Sequence, residues 1–315
     1  MIVTVTLNPC VDRTLFVAGL RVHDTNRVTQ TEIDAGGKGL NLSRVATRLG
    51  AKTVALGFLG GEAGDYVRLR LAQEGVPERC TPIAAPTRTN VSIESGDGPP
   101  TTLNEPGPSI LPAEFGALRA ELTTQAETGE WVVFAGSVPP SLPRTVIADL
   151  ARCAHEAGCR VMVDADGEVM QHAMGECLDF IKPNRSEAER LLGRSLPEIG
   201  DVAAAAQELH QRLVAQGSDL GLVVISLGAD GAVMTSPRGT WHGLPIPVEA
   251  RSTIGSGDSM VAGILTALTS GLSESEALRY GLAAGAATAM TSGSDIGQRA
   301  DFDALLPQAR VQPLS

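Results

Sequence analysis

Short apolar runs alternate along the chain with stretches whose apolar residues recur every three or four positions. Ile2-Val3-Thr4-Val5-Thr6-Leu7 reads as a buried strand, and residues 14–18 and 27–33 alternate like strands with one wet face. Leu42, Val45, Ala46 and Leu49 share one face of a helix predicted at about 40–49, with a strand at 53–58 and a helix at 65–74. Residues 89–93 and 101–104 predict a second short hairpin, with Gly96-Asp97-Gly98 as its turn. From about residue 112 the pattern changes. Strands are predicted at 131–135, 160–164, 180–182, 222–227 and 231–235, and helices at 143–157, 167–174, 186–192, 201–216, 257–270 and 275–290. Continuous apolar strands between helices mean a parallel sheet covered on both faces. The expectation is a doubly wound α/β body forming one domain over 1–315. A small β-sheet from about 10–33 and 86–106 is inserted in it as a lid or dimer surface.

Composition narrows the class. The chain has 315 residues, 43% hydrophobic, so a large core is affordable. A net charge of −11 with only 3% aromatics argues against a nucleic-acid surface, though not against a local basic pocket for a small phosphate. Five cysteines, an odd count without a CxxC pair, argue against a disulfide framework or zinc site and fit a reducing cytoplasm. No signal peptide is expected, and the apolar stretch near 260–268 is too short to span a membrane.

Four segments carry candidate chemistry. Ser252-Thr253-Ile254-Gly255-Ser256-Gly257-Asp258-Ser259-Met260 precedes an apolar helix. Its glycines let backbone approach a ligand, and a helix start offers unpaired N–H groups to an anion. Asp258 there is either a helix cap or a base beside a bound phosphate. Ala35-Gly36-Gly37-Lys38-Gly39-Leu40-Asn41 opens another helix and suits a polyhydroxylated or phosphorylated molecule, or is an ordinary turn. Neither a Walker A loop nor a GxGxxG fingerprint is present. Asn184 and Glu187, in Lys182-Pro183-Asn184-Arg185-Ser186-Glu187, lie three apart, so they share a helix face and could order water around Mg²⁺; the alternative is a capping arrangement with Ser186 starting the helix. Residues 223–231 read as strand, turn and strand.

Together these segments resemble the ribokinase-like sugar kinases of the phosphofructokinase B branch, over about residues 1–305. The motifs TLNPCVD, GGKGLN, GSVP, KPNRSE, SLGADG and TIGSGDS stand in that family's order, and TRTN at 87–90 and LNEPGP at 103–108 resemble its lid segments. The resemblance implies an ATP- and Mg²⁺-dependent transfer to a ketohexose phosphate. Asp258 matches the base, and Gly255, Ser256 and Gly257 match the anion hole. Asn184 and Glu187 match the Mg²⁺-linked motif, acting through water. Asn184, Ser226, Gly228, Gly231 and Gly257 match the nucleotide side, with Gly285, Ala286 and Ser292 flanking adenine.

For the sugar, the resemblance implies Asp12, Gly37 and Asn41 on the hydroxyls, and Lys38 and Arg88 on the phosphate already present. Ser137 faces the same cleft, and Arg27 reaches the phosphate from a partner's lid. A homodimer through the lid sheets is expected, with no nucleic-acid or membrane partner. Ser256 stands where the family has alanine, and Cys10 reads as a small apolar filler. Fructose 1-phosphate is the expected acceptor, tagatose 6-phosphate or fructose 6-phosphate the rival. A catalytically silent sugar-phosphate sensor is the alternative of another class.

Overall fold

The computed structural model describes residues 1–314 except 97, 99 and 127–129. Asp97 of the anticipated turn thus lies outside the described residues, but the hairpin it was to close is present. The strands are β1 (Ile2–Thr6), β2 (Cys10–Val17), β3 (Val28–Gly36), β4 (Thr53–Leu59), β5 (Thr81–Pro82), β6 (Arg88–Glu94), β7 (Thr101–Asn104), β8 (Trp131–Ala135), β9 (Arg160–Asp164), β10 (Phe180–Ile181), β11 (Leu222–Ser226), β12 (Ala232–Ser236), β13 (Gly239–Gly243) and β14 (Val311–Leu314). Two sheets result, ordered β14-β13-β12-β11-β10-β9-β8-β1-β4-β5 and β3-β2-β6-β7.

The large sheet is parallel from β4 to β11, as the apolar runs predict, and the two-residue β5, which no apolar run announces, extends it parallel at the edge. β12, β13 and β14 continue it antiparallel. The last two were not anticipated. β14 is four residues long with Pro313 inside it, and proline is tolerated in a strand at a sheet edge.

The helices are α1 (Lys38–Arg48), α2 (Gly61–Gln73), α3 (Pro112–Ala126), α4 (Val146–Glu156), α5 (Gly167–Ala173), α6 (Arg185–Leu192), α7 (Ile199–Ala215), α8 (Ser256–Thr269), α9 (Glu274–Ala289) and α10 (Arg299–Leu305). α3 buries only Leu118, Leu122 and Ala126, a stripe too narrow to announce a helix. One face of the sheet packs Val132, Phe134, Val161 and Val163 against Leu150 of α4 and Leu209 of α7. The other packs Trp131, Val133, Met162 and Val224 against Leu42 of α1 and Val261 and Ile264 of α8. Among the described residues no helix is long and apolar enough to cross a membrane.

The order places β1 at a reversal. The chain leaves β1 toward β4 on one side and returns through β8 to β11 on the other. Ligands of doubly wound sheets bind in the crevice at such a point, beyond the carboxyl ends of the strands. The small sheet departs from that crevice: β2 begins four residues after β1 ends, and β3 ends two residues before α1 begins. Its two hairpins are joined by β2 and β6, which run parallel.

Candidate active site

The chain's charges converge where the parallel strands end. Asp164 closes β9, and Lys182 follows β10. The Lys38 ammonium, at the start of α1, donates to Asp164 Oδ1 at 2.7 Å, and the Lys182 ammonium lies 3.4 Å from Oδ2. Asp164 and Lys182 are both nearly inaccessible. Burial pushes the Asp164 carboxyl up, but the two lysines beside it win and hold it below the usual carboxylate range.

Asp258 faces this cluster from the first turn of α8. Gly255 caps that helix in the left-handed region, φ 76°, which glycine adopts without strain. Two residues on, a side chain on Gly257 would start 3.2 Å from the Lys182 ammonium, so the missing one lets that cation lie against the helix start. The first N–H groups of a helix have no i−4 partner within it; Ser256 N turns back to Thr253 O at 3.3 Å, and the amides after it face a corner that holds two lysines. Asp258 is buried, and Asn41 donates to its Oδ2 at 3.0 Å. Burial first, then the charge of Asp164, push its carboxyl up. Lys38, Asn41 and Lys182 only partly offset this, and it comes to rest at about 6. A carboxylate at that value is ionised at neutral pH and still basic enough to take a proton.

A cleft of about 790 Å³ opens from this corner. Lys38, Asp164, Lys182, Asn184, Glu187 and Ser226 line one wall, with Gly228 and Gly231 beyond them. Ile246, Val248, Met260, Gly285 and Ala286 make an apolar wall opposite. Ser292 does not join that wall: its hydroxyl donates to the Glu32 carboxylate of β3 at 3.2 Å. Asn184 and Glu187 form a reciprocal capping box on α6, Asn184 Oδ1 accepting from Glu187 N and Glu187 Oε2 from Asn184 N. The two readings of this pair are therefore compatible, because the caps also line the cleft.

Just before the start of α1 lies a polar recess roofed by the small sheet. Asp12 of β2 and Asn90 of β6 are register partners, and Asn90 Nδ2 donates to Asp12 Oδ1 at 3.0 Å. Arg88 Nη1 donates to Glu105 O at 2.7 Å and Nη2 to Asn8 O at 3.1 Å, with Ser137 Oγ 3.5 Å away. Gly36 and Gly37 form the floor: a side chain on Gly36 would collide with the Asp12 carboxylate.

Most of the predicted residues thus meet around one crevice, with three differences, of which Ser292, bonded to Glu32, is the first. The Lys38 ammonium turns to Asp164 on the Asp258 side, while Arg88 lies on the Asp12 side. Arg27 is exposed just before β3, at the far end of the hairpin from Asp12. Five register positions separate that end from Asp12, about 17 Å of strand, so Arg27 does not reach this chain's own recess. Asp164, Lys182 and Asn90 were missed. The first two had a legible signal: each is a charge directly after a buried apolar run, Val161-Met162-Val163 and Phe180-Ile181, at the carboxyl end of a parallel strand.

The model of the pfkB family of carbohydrate kinases matches residues 5–300. This chain belongs to that family. The kinase is 36% identical to the 1-phosphofructokinase of Rhodobacter capsulatus over 284 residues, 90% of this chain and 88% of that one. It is 32% identical to the 1-phosphofructokinase of Bacillus subtilis over 314 residues, 100% of both chains. Among solved structures, phosphofructokinase-2 from Escherichia coli in complex with substrates and products matches with a TM-score of 0.91 at 29% identity, over 98% of each chain. The expected fold class and kinase activity therefore hold over nearly the whole chain. Membership of this kinase family implies ATP as the phosphoryl donor.

Proposed function

We propose that this kinase phosphorylates fructose 1-phosphate to fructose 1,6-bisphosphate, with Asp258 as the base. The observation that carries the mechanism is Asp258 itself, buried, poised at about 6, held by Asn41 and lining the long cleft. The choice of sugar rests on the names of the full-length relatives.

Asp12, Gly37 and Asn41 orient the sugar hydroxyls in the recess, and Arg88 with Ser137 receives the phosphate already on the sugar. Asp258 then accepts the proton of the attacking hydroxyl. Bound ATP supplies the γ-phosphoryl group, and the reaction is governed by positioning and charge stabilisation. The N–H groups around Gly255, Ser256 and Gly257 hold the oxygens of that group, assisted by Lys38, which we move from the sugar phosphate to this role on its bond to Asp164. Ser226, Gly228 and Gly231 hold the nucleotide, with Ala286 against the base.

The oxygen donors of Glu187 and Asn184 suit Mg²⁺, a hard cation that keeps several waters. Glu187→Gln is expected to raise the Mg²⁺ needed for half-maximal rate about tenfold while the sugar KM holds. A magnesium titration of both enzymes reads this directly.

The open face of the lid supports a homodimer. Ile33, Arg13, Val91 and Leu103 lie in one row by register across all four strands, and Ile33 and Leu103 are 45% and 59% exposed. A partner's lid is also the route by which Arg27 would reach a sugar phosphate. The odd count of five cysteines supports a cytoplasmic setting.

The deciding assay follows ADP release with Mg-ATP and fructose 1-phosphate, fructose 6-phosphate or tagatose 6-phosphate at matched concentrations. The expected result is the highest kcat/KM with fructose 1-phosphate. A preference for either 6-phosphate would keep the mechanism and overturn the substrate. Binding without turnover of any of them would make the protein a sensor.

A further inference from the structure

The Asp12 carboxylate does not stand alone. Cys10, two residues earlier on β2, points the same way and donates from its thiol to Asp12 Oδ1 at 3.2 Å. Asn90 uses its amide nitrogen twice, on Asp12 Oδ1 at 3.0 Å and on Cys10 Sγ at 3.1 Å. The three side chains close a ring in which the thiol both donates and accepts. Both described bonds to Asp12 land on Oδ1, and Oδ2 lies over Gly36, where a side chain would collide with it.

The other end of the amide is equally informative. Asn90 Oδ1 is buried and has no hydrogen-bond partner. A native structure seldom leaves a buried acceptor unpaired. Here the orphan oxygen is what fixes the nitrogen on Asp12, because turning the amide over would set its oxygen against a carboxylate. The Cys10 thiol is 2% exposed. Burial first and the neighbouring Asp12 second push its pKa well above the usual range, so it stays a donor and not a thiolate.

We infer that Asn90 and Cys10 are positioning residues for sugar recognition: together they clamp Asp12 Oδ1 so that Oδ2 is presented to the substrate hydroxyls. This deepens the proposed function and rests on Asp12 gripping the sugar. It makes Cys10 a working member of the recess, and it gives the Asn90 of the TRTN segment a part distinct from that of Arg88. It also predicts which replacements the ring tolerates. A serine at position 10 can still donate and accept. An alanine can do neither, and an aspartate at position 90 sets a like charge against Asp12.

The test measures the KM of both substrates for full-length Asn90→Asp, Cys10→Ser and Cys10→Ala. The sugar used is whichever of the three sugar phosphates the wild type prefers. If that is not fructose 1-phosphate, the substrate reading falls while this test is still read. Asn90→Asp is expected to raise the sugar-phosphate KM about tenfold or more, with the Mg-ATP KM within about twofold of wild type. Cys10→Ser is expected to stay within about threefold of wild type and Cys10→Ala to exceed it. An unchanged sugar KM in Asn90→Asp overturns the inference. So does a parallel rise in both KM values, which would mean a damaged lid. Should Asn90→Asp fail to fold, the two Cys10 variants decide: equal sugar KM values in serine and alanine also overturn it.

Discussion

Asp258→Asn is expected to lower kcat by about 10²–10⁴, the range a positioned general base contributes, while sugar-phosphate affinity stays within about threefold. The amide keeps an oxygen for Asn41 and most of the volume of the carboxyl, so the recess and the start of α8 keep their shape. Calorimetric titration separates this outcome from simple loss of binding.

The same substitution is expected to stabilise the protein. The folded pKa of Asp258 is about 6, above its usual 3.8. The unfolded chain therefore gives up this proton at lower pH than the folded one. Below about pH 3 both forms are protonated and the group is neutral for stability. Above pH 6 the buried charge costs the fold about 3 kcal/mol. Asparagine never ionises, so the variant is expected to gain about 2 kcal/mol at pH 8, once its unpaired amide hydrogens are allowed for, and almost nothing at about pH 3. Denaturant unfolding at the two pH values checks this. Wild-type kcat is expected to fall tenfold per pH unit below about pH 6, the limb on which Asp258 is protonated. A flat profile between pH 5 and 7 would remove Asp258 from the role of base.

The parallel core was legible because each strand is an unbroken apolar run, which a chain can bury only between two layers of helices. β14 was not, since its pairing depends on an open edge at β13 that only the folded sheet supplies. At the site, glycines beside a helix start announce an anion cradle locally, so the segments around Gly37 and Gly255 could be read in one dimension. Lys38 shows the limit. Its type and its place at a helix start were visible, but its direction depends on Asp164, 126 residues away. The Asn90 ring is likewise invisible without the parallel register of β2 and β6.

Asp164→Asn is expected to act with the opposite sign on stability and through charge alone. The carboxylate is 4% exposed and is the shared partner of two lysines, one of them nearly as buried. Removing one partner of a buried pair leaves an uncompensated charge and typically costs about 3–5 kcal/mol. Lys38 is partly exposed and can turn to water, so a loss of about 3 kcal/mol is expected at pH 8, carried mainly by Lys182. With neither ammonium preorganised for the phosphoryl oxygens, kcat/KM is expected to fall about 10²–10³. Asp164 is also the second cause, after burial, of the raised Asp258 carboxyl, so the acid limb of kcat is expected to move below pH 6 in the variant. The Asp164→Asn, Asp258→Asn double variant reads the coupling between the two carboxylates. If Asp164 and Asp258 share the lysines, each carboxylate should matter more once the other is gone, and the stability changes should depart from additivity by more than about 0.5 kcal/mol. Additive changes, with an unmoved acid limb, would show that the four charges are neighbours without being a unit.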